Sequence, residues 1–408
     1  MLDRIEGRLG SGGDVGLISV TVLQRRNVDQ GAGWKAYEAM VREIGAFLKT
    51  YRDERMRRDD RLYEPSMNGN AFALLLEPPR DGRSFDASDL ARVRARIKRG
   101  LKVHLARRLP GESGESFGWY VGGAHMRSEA DVPFERLVHR ALEESFADAL
   151  REKEREGRRH AVQLARVLHF GLVRSVYQPV VDIVQREVIG FEALTRVGSG
   201  RFETIERLFK AAEANDALWA LERLCRRKAL EGLPGLERGQ LLFLNIEPDS
   251  VHDPQLTGPP FLDALAAVGL APSQVVLELT EHSAVRDFVA FRRTLDHFRA
   301  LGFRLAMDDV GSGYAGLQAI AEIAPDYIKA DMHLVRGLHV SPIKRELIDT
   351  IRRFTDTTGI TLVAEGVESN DELEALASVG VRCAQGFLFA RPSAPPPLPD
   401  WNSVRETR

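Results

Sequence analysis

Two cysteines in 408 residues, Cys225 and Cys383, are too few and too far apart for a disulfide framework or a four-cysteine zinc site, and they point to a reducing compartment. Cytoplasm is the expectation. An excess of charge of one sign is missing as well. Lysine plus arginine number 57 against 59 for aspartate plus glutamate, a balance that argues against a bulk electrostatic grip on nucleic acid or anionic lipid. Any phosphate-bearing ligand has to be met by local groups. No segment approaches the roughly 20 apolar residues that span a bilayer; AFALLLEPP and FLDALAAVGLAP are core-sized pieces. The opening residues MLDRIEGRLGSGG mix acid, base and glycine before any apolar stretch, so they lack the basic-then-apolar order of a secretory signal. A soluble protein is expected.

At about 150 residues per domain, this length suggests two or three domains, each able to bury a core. A charge-dense stretch, ALREKEREGRRHAVQLARVL at about residues 149–168, separates two regions of different texture and reads as a solvated helix. The boundary predicted from it divides the chain into 1–158 and 159–408. After the seam, the strand-like runs VIGFEALTRV, LLFLNIE, VVLELTE, RLAMDDV, YIKADM, TLVAEGVE and AQGFLF alternate with helix-like runs such as Asp287 to Gly302, Ile343 to Gly359 and Asn370 to Gly380. Such alternation demands parallel strands with helical crossovers. VYQPVVDI, however, is joined to VIGFEALTRV by only VQRE. A parallel crossover needs a dozen or more residues, so this first pair must be antiparallel. The fold class predicted is α/β: a (β/α)8-type barrel with its first strand reversed, preceded by a smaller sandwich of strands GLISVTVLQ, NAFALLLE and ESFGWYVGGAH with three helices.

Polar residues sit where the apolar strands of the second region end. Glu192 interrupts VIGFEAL, Asn245 ends LLFLN, Glu278 and Glu281 fall in VVLELTE, Asp308 and Asp309 end RLAMDD, Lys329 lies in YIKAD, and Glu365 and Glu368 end TLVAEGVE. In a barrel of this kind, strand carboxyl ends form the active face. A buried carboxylate there is costly unless it is paired or bound to a metal. Oxygen donors without cysteine or histidine at a strand end suit hard cations such as magnesium or manganese. His282 and His333 are nearby in sequence and are expected to be ordinary hydrogen-bonded residues. Asp308 and Asp309 are the natural place for a ligand shared by two ions, a pair suited to phosphodiester hydrolysis, and Lys329 would add positive charge for the developing anion or the water.

These stretches resemble the EAL domains, phosphodiesterases that linearise the bacterial second messenger cyclic di-GMP. YQPVVDI…VIGFEALTR carries Glu192, Ala193 and Leu194 as the signature; LNIEP, LELTE, DDVGSGYAGL, IKAD, AEGVES and QGFLFARP follow in the family's order over about residues 165–395. The resemblance implies that Glu192, Asn245, Glu278, Asp308 and Asp309 bind two magnesium or manganese ions. It gives Glu365 the second ion or the role of base, and lets Lys329 orient the water. Glu368 and Gln385 look like the family's supporting polar residues. Glu281 resembles the glutamate that anchors the loop after Asp309, a loop linked in the family to dimerisation, which makes a homodimer the expected assembly. Gln178, Leu194 and Arg196 match positions that contact the dinucleotide. Glu247, Val310 and Ser312 depart from the family's serine, phenylalanine and threonine without removing a catalytic group.

The first region looks like a degenerate GGDEF cyclase domain. Its signature loop falls at Asn68, Gly69, Asn70, Ala71, Phe72, so Asn70 and Ala71 replace the acids a cyclase needs, and GLISVTVLQ lacks the expected metal-binding aspartate. Arg57 and Asp60 have the spacing of the cyclase inhibitory site but lie further from the signature than usual. No cyclase activity is expected. Two other readings compete for the barrel: a cyclic di-GMP receptor that does not cut its ligand, against which the complete acid set argues, and a glycosidase on paired carboxylates. Against the latter, Trp34, Trp119, Trp219 and Trp401 all lie away from the strand ends that a sugar would stack on.

Overall fold

The computed structural model describes residues 14–24, 32–57, 60–63, 71–76, 86–109, 117–127, 129, 132–198, 202–233, 235–280, 288–311 and 316–405. The chain divides into two units, 1–159 and 160–408. The first contains β1 (Val15–Gln24), α1 (Ala32–Arg55), β2 (Arg61–Tyr63), β3 (Ala71–Leu76), α2 (Ala87–Arg108), β4 (Phe117–Met126) and most of α3 (Phe134–Phe170). Its strands form one antiparallel sheet in the order β2-β3-β1-β4. Period-two alternation gives that sheet two apolar faces. Ile18, Val20, Val22, Phe72 and Leu74 pack on Met40, Ile44 and Leu48 of α1 and on Ile97 and Leu101 of α2. Val15, Leu17, Leu75 and Met126 take Leu137, Val138 and Ala141 of α3 on the other side.

The charge-dense seam is not a separate helix: α3 runs unbroken from Phe134 to Phe170. Nothing in the stretch stops it, since a lone glycine at Gly157 costs only about 1 kcal/mol against alanine. The three-residue β2 is also absent from the sequence reading, being too short to show alternation.

The second unit holds β5 (Val173–Asp182), β6 (Glu187–Val197), α4 (Ile205–Ala214), α5 (Leu218–Glu231), β7 (Leu241–Ile246), α6 (Pro254–Thr257), α7 (Pro259–Ala267), β8 (Val275–Thr280), α8 (Phe288–Ala300), β9 (Arg304–Val310), α9 (Gly316–Ile323), β10 (Tyr327–Ala330), α10 (Met332–Val335), α11 (Pro342–Thr358), β11 (Thr361–Ala364), α12 (Asn370–Ser378) and β12 (Cys383–Ala384). The strands close into an eight-stranded barrel. β5 runs antiparallel to β6 and β12, and the remaining neighbours are parallel, as the short VQRE connection requires. Helix α11 ends on Gly359 at φ 74°, a left-handed cap that a residue without Cβ adopts at no steric cost.

Alternation sorts each barrel strand. Leu242, Leu244, Leu277, Leu279, Leu305, Met307, Ile328 and Leu362 point outward, into a core shared with the helices. Val180, Leu241, Phe243, Val276, Ala306, Tyr327, Val363 and Cys383 point inward and fill the barrel floor. Phe243 is wholly buried there and meets the Tyr327 ring edge-on at 5.4 Å. Phe243→Ala is expected to cost about 3–5 kcal/mol through the lost burial and the cavity left behind. Denaturant unfolding of the full chain, followed by circular dichroism, measures it; a loss under about 1 kcal/mol would contradict this packing.

Candidate active site

Two residues past the apolar floor, the same inward faces turn polar. Leu241 and Phe243 lead to Asn245, Val276 to Glu278, Ala306 to Asp308, Tyr327 to Lys329, Val363 to Glu365 and Cys383 to Gln385. On the reversed strand the order inverts, with Gln178 preceding Val180. The register places Gln178 beside Glu192, Asn245 beside Glu278 and Thr280 beside Asp308. A polar ring thus lies on a hydrophobic plug, at the strand carboxyl ends where barrels of this architecture do chemistry.

Asp308 and Asp309 are adjacent, and a regular strand would send them to opposite faces. Strand β9 instead carries one extra residue here: Ile328 of β10 pairs with Met307, and Ala330 pairs with Val310. Asp309 takes φ 57°, a left-handed conformation that aspartate tolerates better than most residues. Its N–H donates to Asp308 Oδ1 at 3.0 Å. Bulges of this kind re-aim side chains next to active sites, and here oxygens of Asp308, Asp309 and Glu365 all come within 4.8 Å of one another.

Lys329 stands at the centre, fully buried. Its Nζ lies 2.7 Å from Glu365 Oε1, 2.9 Å from Glu278 Oε1, 3.3 Å from Glu192 Oε2 and 3.4 Å from Asp308 Oδ1. Glu192 is also held by neutral donors: Asn245 Nδ2 donates to Oε1 at 3.0 Å and Gln385 Nε2 to Oε2 at 2.7 Å. The Gln385 amide also donates to Gln178 Oε1 at 3.2 Å, and Gln178 Nε2 donates to the Ala390 carbonyl at 3.1 Å.

One ammonium cannot neutralise four buried carboxylates, and their proton affinities divide accordingly. Burial pushes Glu278 well above the usual carboxylate range, and it raises Asp308 and Glu365 too, the last to about 8. Burial acts on Glu192 in the same direction, but Lys329, Gln385 and Asn245 outweigh it and hold that carboxyl low. For Lys329, burial favours the neutral amine; the four carboxylates reverse that and drive it well above the ordinary lysine value. A carboxyl whose folded pKa is raised stabilises the fold while protonated. Glu365 therefore contributes fully below about 4.5, and its contribution is lost as pH rises to about 8. In chelator, the melting temperature of the barrel is expected to fall between pH 5.5 and 8 (about 2 °C or more). Thermal scans with and without excess magnesium check this; a melting temperature that rises over that window in chelator would contradict it.

The donor set fits hard divalent cations. Both Glu278 side-chain oxygens are buried without a hydrogen-bond partner, since Lys329 lies at ion-pair distance without hydrogen-bond alignment. Carboxylate and amide oxygens, with no sulfur or imidazole in the ring, are what magnesium or manganese selects.

Leu194 and Arg196 lie half-buried further along β6, where Arg196 Nη1 donates to the Thr195 carbonyl at 3.1 Å. Glu368 is not drawn into the carboxylate ring: it is half-exposed and paired with Arg336. His333 is exposed on α10 and bonded to Asp331. Glu281, His282 and Ser312 lie outside the described residues, as do Asn68, Gly69 and Asn70 of the first unit. Sequence reasoning did not single out Glu222, a buried acid on α5 that accepts from the Glu247 N–H at 2.6 Å, just past Asn245. An acid inside the apolar pattern of ALERLCRRKAL was its signal.

The EAL domain family matches residues 161–392. Among curated proteins, the chain is 30% identical over 243 residues to the cyclic di-GMP phosphodiesterase RocR of Pseudomonas aeruginosa, covering 56% of this chain and 59% of that protein. It is 29% identical over 277 residues to an uncharacterized signaling protein of Caulobacter vibrioides, covering 66% of this chain and 33% of that protein. The chain spans only about a third of the length of the first curated relatives it matches. Among solved structures, a standalone EAL protein from Vibrio cholerae O395 in its c-di-GMP bound form aligns with TM-score 0.51 and 27% identity, over 57% of this chain and 97% of that one. The manganese/cy-diGMP complex of Klebsiella pneumoniae BlrP1 aligns with TM-score 0.51 and 25% identity, over 93% of this chain and 96% of that one.

Proposed function

The chain belongs to the EAL domain family, and from that premise we propose that its barrel is a divalent-metal-dependent phosphodiesterase that opens cyclic di-GMP to linear pGpG. The observation that carries this reading is the bulge that gathers Asp308, Asp309 and Glu365 around a lysine already ringed by carboxylates. The names of the RocR relative and of the ligand-bound Vibrio and Klebsiella structures support the substrate. Glu192, Asn245, Glu278, Asp308, Asp309 and Glu365 would hold two magnesium or manganese ions, which supply a hydroxide at neutral pH and charge for the phosphate oxygens.

The chain's own groups do the rest. Gln178, Leu194 and Arg196 border the strand end where the dinucleotide enters, and a guanidinium matches its phosphate. Lys329 orients the water and opposes the anion that develops on phosphorus. Glu365, gathered with Asp308 and Asp309, would ligate the second ion or accept the water's proton. The water oxygen bonds to phosphorus, the bond to the 3′ oxygen breaks, and that oxygen takes up a proton. Gln385 and Asn245 keep Glu192 ionised and aimed inward. Glu368, tied to Arg336, acts from outside this ring as a support. Turnover is expected to vanish in excess chelator and to return with magnesium or manganese, read by chromatography of the products; unchanged turnover in chelator would defeat the metal assignment.

The first unit is read as a degenerate cyclase domain without cyclase activity, because Asn70 and Ala71 stand where the acids belong. GTP incubated with the full chain is expected to give no cyclic di-GMP. A cytoplasmic homodimer completes the reading, and light scattering measures that assembly.

A further inference from the structure

Asn245 differs from its partners in the ring. Glu192, Glu278 and Lys329 are buried, whereas Asn245 is exposed at the end of β7, so packing does not fix its side chain. What is fixed is the backbone immediately after it. The Glu247 N–H donates to Glu222 Oε1 at 2.6 Å. Arg226 Nη1 donates to Glu222 Oε2 at 3.0 Å, and Arg226 Nη2 donates to Asp253 Oδ2 at 3.0 Å. Arg223 closes the chain with two bonds to Asp253, at 2.5 and 2.9 Å, and Asp253 also caps α6 through Gln255 N. Residues 247–253 are thus fastened to α5 at both ends by one run of charge-assisted hydrogen bonds. Glu222, Arg226 and Asp253 are 3%, 6% and 0% exposed.

A buried ionic network is a poor source of net stability, because desolvation offsets most of the attraction. What it supplies is geometry: two acids and two arginines admit few arrangements that leave no charge unpaired. We infer that Glu222 is a positioning residue for Asn245: by anchoring the Glu247 amide, it sets where β7 ends and holds the Asn245 amide against Glu192 and the metal site. This rests on the phosphodiesterase reading, deepens it, and places a determinant of that site on a helix outside the barrel.

The test compares Glu222→Ala, Glu222→Gln, Asn245→Ala and the double variant in the full chain. Two readouts are used: kcat and KM for cyclic di-GMP, and calorimetric magnesium affinity without substrate. Glu222→Ala is expected to lower kcat roughly 10–100-fold and weaken magnesium binding about tenfold, with KM changed far less. Glu222→Gln, which keeps an oxygen acceptor for the Glu247 amide, is expected to recover most of both. In the Asn245→Ala background, Glu222→Ala is expected to change neither further. Full additivity of the two substitutions, or a lowered melting temperature with kcat and magnesium affinity unchanged, would overturn the proposal. If Glu222→Ala does not fold, Glu222→Asp, which keeps the charge and shortens the reach by one methylene, makes the same comparison. A wild type without turnover defeats the phosphodiesterase reading, and the calorimetric arm still decides whether Glu222 acts through Asn245.

Discussion

Glu192→Ala is expected to lower cyclic di-GMP turnover by roughly a thousandfold or more, with the barrel still folded. Burial works to raise it, but Lys329, Gln385 and Asn245 outweigh burial, so of the four carboxylates around Lys329 it is the one held low, which favours the ionised form that takes a cation. Three different strand ends converge on it through Lys329, Asn245 and Gln385. Its removal takes the shared acceptor from Asn245 and Gln385, leaving Gln385 only Gln178, and takes a ligand from the proposed metal site at once. The fold survives because Asn245 is exposed and can turn to water, while Lys329 keeps Glu278, Asp308 and Glu365. Circular dichroism should show a native spectrum and a cooperative melt. Product chromatography should show no pGpG on the wild-type timescale, and a folded variant within tenfold of wild type would mean the chemistry lies elsewhere.

Lys329→Met is expected to act on both turnover and stability. Methionine keeps much of the buried volume and removes the cation that, among the described residues, pairs with all four carboxylates. Breaking a buried charge pair by deleting one partner costs about 3–5 kcal/mol, and here the loss leaves several carboxylates facing one another. They answer by taking up protons, so the destabilisation deepens as pH rises, because the raised carboxyls stabilise the fold only while protonated. Denaturant unfolding at pH 6 and pH 8 in chelator should show the larger deficit at pH 8. Magnesium should restore much of it by binding the freed carboxylates. Turnover should remain at least about a hundredfold down even with saturating magnesium, since the group proposed to orient the water is gone. A variant as stable as wild type at pH 8 in chelator would show that the lysine does not compensate those carboxylates.

Much of this was legible in the sequence because barrels obey two simple periods. Apolar runs ending in single polar residues placed Glu192, Asn245, Glu278, Asp308, Lys329 and Glu365 on strand ends, and the short VQRE connection forced the first strand to reverse. What could not be read was local geometry that departs from those periods. Alternation alone would separate Asp308 from Asp309; the bulge and the left-handed Asp309 backbone unite them. The proximity of Glu368 to Glu365 in AEGVES suggested convergence, yet Gly366 turns at φ 67° and Glu368 pairs with Arg336. Charged residues at 149–168 read as a seam, and only continuous backbone bonding reveals that α3 passes straight through. The Glu222–Arg226–Asp253 network was silent because Asp253 is far from α5 in sequence and meets it only in the fold.

The most direct measurement is incubation of the 408-residue chain with cyclic di-GMP and magnesium or manganese, with the guanine nucleotides resolved by chromatography over time. The account requires cyclic di-GMP to disappear as linear pGpG accumulates in equal amount. Cyclic di-GMP that is bound but recovered intact, at saturating metal and with a folded protein, would contradict it and make the barrel a receptor.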